Sequence, residues 1–147
     1  MMYHLVMYRA LGTLFFLLIC CQGQHDVRDG RAAVFITTAS GLRYRVLVEG
    51  RGTPSKAGDQ VRIHETTSLE DGTLIFSTRT KDKPLKFLLG GNHVVAGVDE
   101  AVTGMRVGER RKLIVPPSLS KRSSYPSNTA PDATLHYDIQ LVEILPE

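Results

Sequence analysis

Apolar and polar residues alternate along most of this chain, and the alternation breaks where glycine or proline intervenes. From Gly41 onward, Leu42, Tyr44, Val46 and Val48 take every second position, separated by Arg43, Arg45 and Leu47. That is the period of a half-buried strand. EGRGTPSKAGD then predicts a loop on its glycine and proline content. Val61 and Ile63 share one face of the next strand, EDG makes a turn that depends on Gly72, and TLIFST returns as a third strand. KPLKFLLGG predicts a fourth, with Pro84 at its start, where a missing N–H is tolerated, and Gly90 and Gly91 closing it.

The period changes once. Val94, Val98, Ala101, Val102 and Met105 recur at helical spacing and lay one apolar stripe along about three turns. Gly104 or Gly108 can stop the helix, and ERRKLIV resumes alternation through Arg111, Leu113 and Val115. After the loop PPSLSKRSSYPSNTAPD, the last segment alternates Leu135, Tyr137, Ile139 and Leu141, then slips phase at Val142 and Ile144, as a β-bulge would make it do. The sum is an α+β fold of five or six antiparallel strands. Their apolar face has one short helix available to cover it.

The first 23 residues follow another pattern. After MMYHLVMYR, whose one formal charge is Arg9, ALGTLFFLLICC is an unbroken apolar run of twelve. It is too short to span a bilayer comfortably but suits a signal-peptide core ending near CCQG; a buried helix is the bland alternative. Residues 1–23 are therefore expected to be a signal peptide cleaved after Gly23, or a lipoprotein signal that makes Cys21 the lipidated N-terminus. The expected location is the bacterial periplasm or a membrane-anchored lipoprotein, with a secretory-pathway lumen as the alternative. Residues 24–40 read as a tether with one short strand at AVFIT, and 41–147 as the domain.

Composition narrows the function. A chain of 147 residues with 42% hydrophobic content fits one domain with a buried core. Its net charge of +3 falls to +2 without Arg9, too little to argue for nucleic acid. The run Arg110 to Lys112 reads as the solvated face of a strand. Both cysteines lie in the leading segment, so the domain is expected to have no disulfide. His64, His93 and His136 fall on separate elements without ligand-like spacing, and no metal or cofactor is expected. Asp99 and Glu100 read as first-turn carboxylates of the helix.

Four motifs in order carry a resemblance: F-x-L-G at Phe87 to Gly90, G-x-D-E at Gly97 to Glu100, M-x-x-G-E at Met105 to Glu109, and P-x-A-T-L at Pro131 to Leu135. With the lead-in SGLRYRVLVEGRG, residues 41–144 resemble the FK506-binding-protein (FKBP) class of peptidyl-prolyl isomerases. The resemblance implies a twisted antiparallel sheet half-wrapped around the helix, with a shallow apolar pocket between them. Rotating an X–Pro bond must cross a barrier of about 18–20 kcal/mol, because the amide loses resonance as it turns. A pocket lowers it by seating the ring on apolar walls, removing water from the planar amide and hydrogen-bonding the twisted state. No proton, nucleophile or metal is required.

Position by position, the resemblance carries the pocket onto a changed set of residues. Glu65 stands for a tyrosine, Ile75 and Phe76 for a phenylalanine–aspartate pair, Lys81 for an arginine, and Leu85 for an aromatic. Val94 and Val95 keep the valine–isoleucine pair, Val98 replaces a larger floor residue, and Lys121 takes a tyrosine's place with Tyr125 close by. Phe87 and Tyr137 keep aromatic lining. The loss of rings, each burying roughly 150–250 Å², implies a weakened isomerase, or a non-catalytic module that binds proline-containing or unfolded segments. An interaction domain using the ERRKL strand face is a third possibility. Glu65, if it faces the pocket, pairs with Lys81 or Lys121 or has a pKa raised by desolvation; otherwise it is a strand-edge carboxylate in water. The expected partners are proline-containing client segments, with membrane contact only through a lipid at Cys21 and the chain a monomer.

Overall fold

The computed structural model describes residues 34–146. The expected signal segment and most of the tether lie outside them. Among the described residues seven strands follow one another: β1 (Ile36–Thr37), β2 (Arg43–Val48), β3 (Gln60–Ser68), β4 (Leu74–Ser77), β5 (Leu85–Leu88), β6 (Arg110–Val115) and β7 (Leu135–Leu145). One helix, α1 (Ala96–Val102), lies between β5 and β6. Every pairing is antiparallel, in the order β1-β2-β6-β7-β3-β4, with β5 also on β3. Seven strands exceed the five or six expected. The short strand anticipated near AVFIT is β1, which pairs Ile36 with Tyr44 and Thr37 with Arg43.

β3 explains how β4 and β5 share one edge. Gln60 to Ile63 pair with β5, and Thr66 to Ser68 pair with β4. Along its other edge β3 pairs with β7, and there the predicted phase slip is a bulge. Arg62 faces Glu143 and Ile63 faces Leu141, so Val142 has no opposite residue. The bulge lets Leu141 stay fully buried while Val142 turns outward.

The core forms where inward positions of three central strands meet α1. Val61, Ile63, Leu113, Val115, Ile139 and Leu141 are fully buried, and Val98, Ala101 and Val102 close over them. The helix is shorter than its stripe: it has seven residues, about two turns, where the spacing predicted about three. Val95 reaches it in extended backbone, and Gly104 leaves it at φ +85°. Val94 and Met105 still turn inward from these flanks, and periodicity of burial does not distinguish them from helical residues. Ser55 fastens the helix end, its hydroxyl donating to the Val102 carbonyl at 2.6 Å and its own carbonyl accepting from Gly104. A last-turn carbonyl is thereby satisfied in the interior.

One charged reading is extended and one corrected: Asp99 does lie in the first turn of α1. Asp99 does not serve the helix N-terminus alone, since its carboxylate accepts the Gly90 N–H at 3.0 Å and anchors the turn leaving β5. The Arg110–Lys112 run is not simply solvated. Arg110 grips Asp138 through two hydrogen bonds of 2.7 and 2.8 Å, while Arg111 lies over the Tyr44 ring and bonds Glu109 at 2.6 Å.

Candidate functional site

At Glu65, β3 lies between the reaches of β5 and β4, and Thr78 fills the gap. Its hydroxyl accepts the Glu65 N–H at 2.9 Å, and its own N–H donates to the Glu65 carbonyl at 3.0 Å. Thr78 thus takes the place of a strand on the edge that neither β5 nor β4 reaches, while β7 pairs along the other edge, and Glu65 lines a cleft of about 360 Å³. Leu85, Val94, Val95 and Val98 supply apolar walls, with Tyr137 across from them on β7. Asn92 and His93 from the turn before α1, and Lys121, Arg122 and Ser123 from the loop after β6, complete the lining.

Glu65 is only 9% exposed. Burial penalises its charged form and pushes its pKa up to about 7, while the nearby Arg122 charge acts the other way. Arg122, which the sequence reading did not single out, donates Nη2–H to the Tyr137 hydroxyl at 3.0 Å. The Tyr137 hydroxyl is held above its ordinary pKa, first by burial and also by the Glu65 carboxylate, against the opposing Arg122 charge. Neither lysine proposed as a partner for Glu65 forms an ion pair with it among the described residues. The carboxyl is desolvated, and its charged neighbour is Arg122.

Of the residues expected at the site, the cleft brings together Glu65, Leu85, Val94, Val95, Val98, Lys121 and Tyr137. Five others lie outside its lining. Phe87, 4% exposed, is a core residue opposite Val61; β5 alternation gives it the same face as Leu85, but two residues further along it is covered. Phe76 is 49% exposed on edge strand β4, where a register shift takes up Ile75; Ile75 itself packs against the core. Lys81 is exposed in a 3₁₀ turn, Arg79–Lys81, and Tyr125 is half-buried in the long loop. Among the described residues Tyr137 is therefore the one Phe, Tyr or Trp ring lining the cleft. The signal that could have found Arg122 was its place beside Lys121 in the loop, but a loop has no period that says which side chain turns inward.

A sheet wrapped over one short helix, with a small cleft of branched aliphatic walls at the helix start, defines a prolyl-isomerase type of domain. The comparisons agree. A profile of the FKBP-type peptidyl-prolyl cis-trans isomerases matches residues 52–142, and the chain belongs to that family. It is 37% identical over 106 residues to the peptidyl-prolyl cis-trans isomerase Fkbp12 of Drosophila melanogaster, covering 71% of this chain and 98% of that one. Mouse peptidyl-prolyl cis-trans isomerase FKBP10 is 42% identical over 88 residues, which are 60% of this chain and 15% of the mouse protein. Among solved structures, FkpA from Escherichia coli superposes with a TM-score of 0.68 at 31% identity, over 76% of this chain and 52% of that one. AtFKBP13 gives a TM-score of 0.67 at 25% identity, over 77% and 100%.

Proposed function

We propose that this domain rotates X–Pro bonds in exported or folding polypeptides, more slowly than relatives whose pocket is lined by rings. The observation that carries this reading is the composition of the cleft: Val94, Val95, Val98 and Leu85 can seat a proline ring, but Tyr137 is the single aromatic wall. Fewer ring contacts mean less area to hold the twisted amide, so transition-state binding weakens more than the fold does. The uncatalysed bond turns over in tens of seconds or longer, and a modest reduction in its barrier still matters to a folding chain. The same observation supports a second reading, a proline-binding or chaperone-like module without rate enhancement. Both take proline-containing client segments. Export, to a periplasm or an anchored state, rests on the apolar run Ala10 to Cys21, and mass spectrometry would distinguish a lipid-modified Cys21 from a free Gln24.

NMR exchange on an X–Pro tetrapeptide, with and without the protein, tests the reading. Accelerated exchange that is lost in a Leu85→Ala, Val95→Ala double variant supports the isomerase. Peptide-induced shifts at Val95 without acceleration favour the binding module, and neither shifts nor acceleration rejects both.

A further inference from the structure

Seating a neutral proline ring does not require charge, yet this cleft has two cations and one carboxyl. Lys121 and Arg122 are adjacent in the loop after β6 and both line it. The carboxyl is Glu65, held in a buried position that disfavours its charged form. Arg122 commits one N–H to the Tyr137 hydroxyl, and its Nε is buried without a hydrogen-bond partner. Neither Lys121 nor Arg122 forms an ion pair among the described residues.

A guanidinium presents five N–H donors in a planar fork that matches a carboxylate. Here the buried Nε has no partner, and one N–H is committed to Tyr137, at the edge of the cleft. A partly buried cation without a counter-charge is unfavourable, and an incoming carboxylate removes that cost. The bond to be rotated joins X to proline, so when the ring is seated the X side chain cannot leave the neighbourhood of the cleft. The residue after proline can.

We propose that the cleft selects X–Pro segments in which X is aspartate or glutamate, the carboxylate being held by Arg122 and Lys121. The proposal rests on the proline-binding reading above and holds for either its catalytic or non-catalytic form. Glu65 tempers the selection when ionised, and the seat for an acidic X is strongest when Glu65 carries its proton.

Three blocked peptides, acetyl-Ala-Xaa-Pro-Phe-amide with Xaa as Glu, Leu or Lys, test it on the full chain. NMR reads both exchange rate and Kd, at low and high salt. The expected order is Glu, then Leu, then Lys, with glutamate ahead of leucine by roughly tenfold, the worth of one charge-assisted hydrogen bond. High salt narrows the gap. The readout is the ratio of glutamate to leucine affinity within each variant: Arg122→Gln and Lys121→Gln each lower that ratio, and a ratio unchanged in both overturns the proposal. Equal affinity for all three peptides, or a lysine preference set by Glu65, overturns the selectivity and leaves the proline-binding reading standing. No binding to any peptide overturns both.

Discussion

The guanidinium of Arg122 donates to the hydroxyl of Tyr137 at 3.0 Å, tying the loop after β6 to the strand at the back of the cleft. Tyr137→Phe keeps the ring and removes the tie. The expected cost is about 1 kcal/mol, the net worth of such a bond, with a fall of a few degrees in Tm. Amide hydrogen exchange of residues 121–123 should quicken while that of β7 does not. Unchanged loop protection would mean that Arg122 is held by its other contacts.

Glu65 makes stability depend on pH in a direction opposite to that of most carboxylates. Its pKa is raised from 4.5 to about 7 in the fold, so folded protein keeps a proton that the unfolded chain surrenders first. Stability should therefore fall as pH rises from about 4.5 to about 7 and level off above that. The cost at high pH is about 3 kcal/mol as an upper figure, since one pKa unit is worth about 1.4 kcal/mol. Glu65→Gln should flatten this part of the profile and be more stable than the parent near pH 8, with little difference near pH 4.5. Denaturant unfolding across that range reads the result, and parallel profiles for the two proteins would show Glu65 to be solvated.

Thr78 is the one residue that satisfies the Glu65 backbone on both sides, by hydroxyl and by N–H. Thr78→Val is nearly isosteric but leaves the buried Glu65 N–H without its acceptor. The expected loss is about 1–3 kcal/mol. A shift of the Glu65 titration toward its ordinary value should accompany it, because a loosened strand admits water. Loss of stability with an unmoved titration would restrict Thr78 to a structural role.

Strands β3 and β7 were legible because their alternation is alternation of burial, and even the bulge at Val142 left its mark as a change of phase, whereas β2 keeps the sequence alternation without burying Val48. Helix length was less legible. Residues outside the helix such as Val94 and Met105 bury side chains at nearly the same spacing as a helical turn, so the stripe overran α1 at both ends. Val95, Val98 and Tyr137, named through the resemblance, all line the cleft. Phe76 and Phe87, carried over by the same resemblance, lie outside the lining, because Phe76 sits on the exposed edge strand β4 and Phe87 is covered in the core. Arg122 lay in a loop, where neither period nor composition gives a direction.

Gly97 sets how closely α1 approaches the sheet. A Cβ there would stand 2.6 Å from one methyl of Val115, 3.3 Å from the other and 3.4 Å from the Leu119 Cβ. Val115 is fully buried on β6 and has no room to retreat. Gly97→Ala gains at most about 1 kcal/mol of helix propensity, whereas overpacking a filled core costs about 1–3 kcal/mol. Net destabilisation of about 1–2 kcal/mol follows, together with an outward shift of α1 that moves Val95 and Val98 and weakens peptide binding. The cause can be separated from a general loss of stability by a double variant. Val115→Ala vacates the space, so Gly97→Ala in that background should cost much less than in the parent, a coupling of at least about 0.5 kcal/mol. Additive effects in denaturant unfolding would show that the helix does not rest on Val115 at this point.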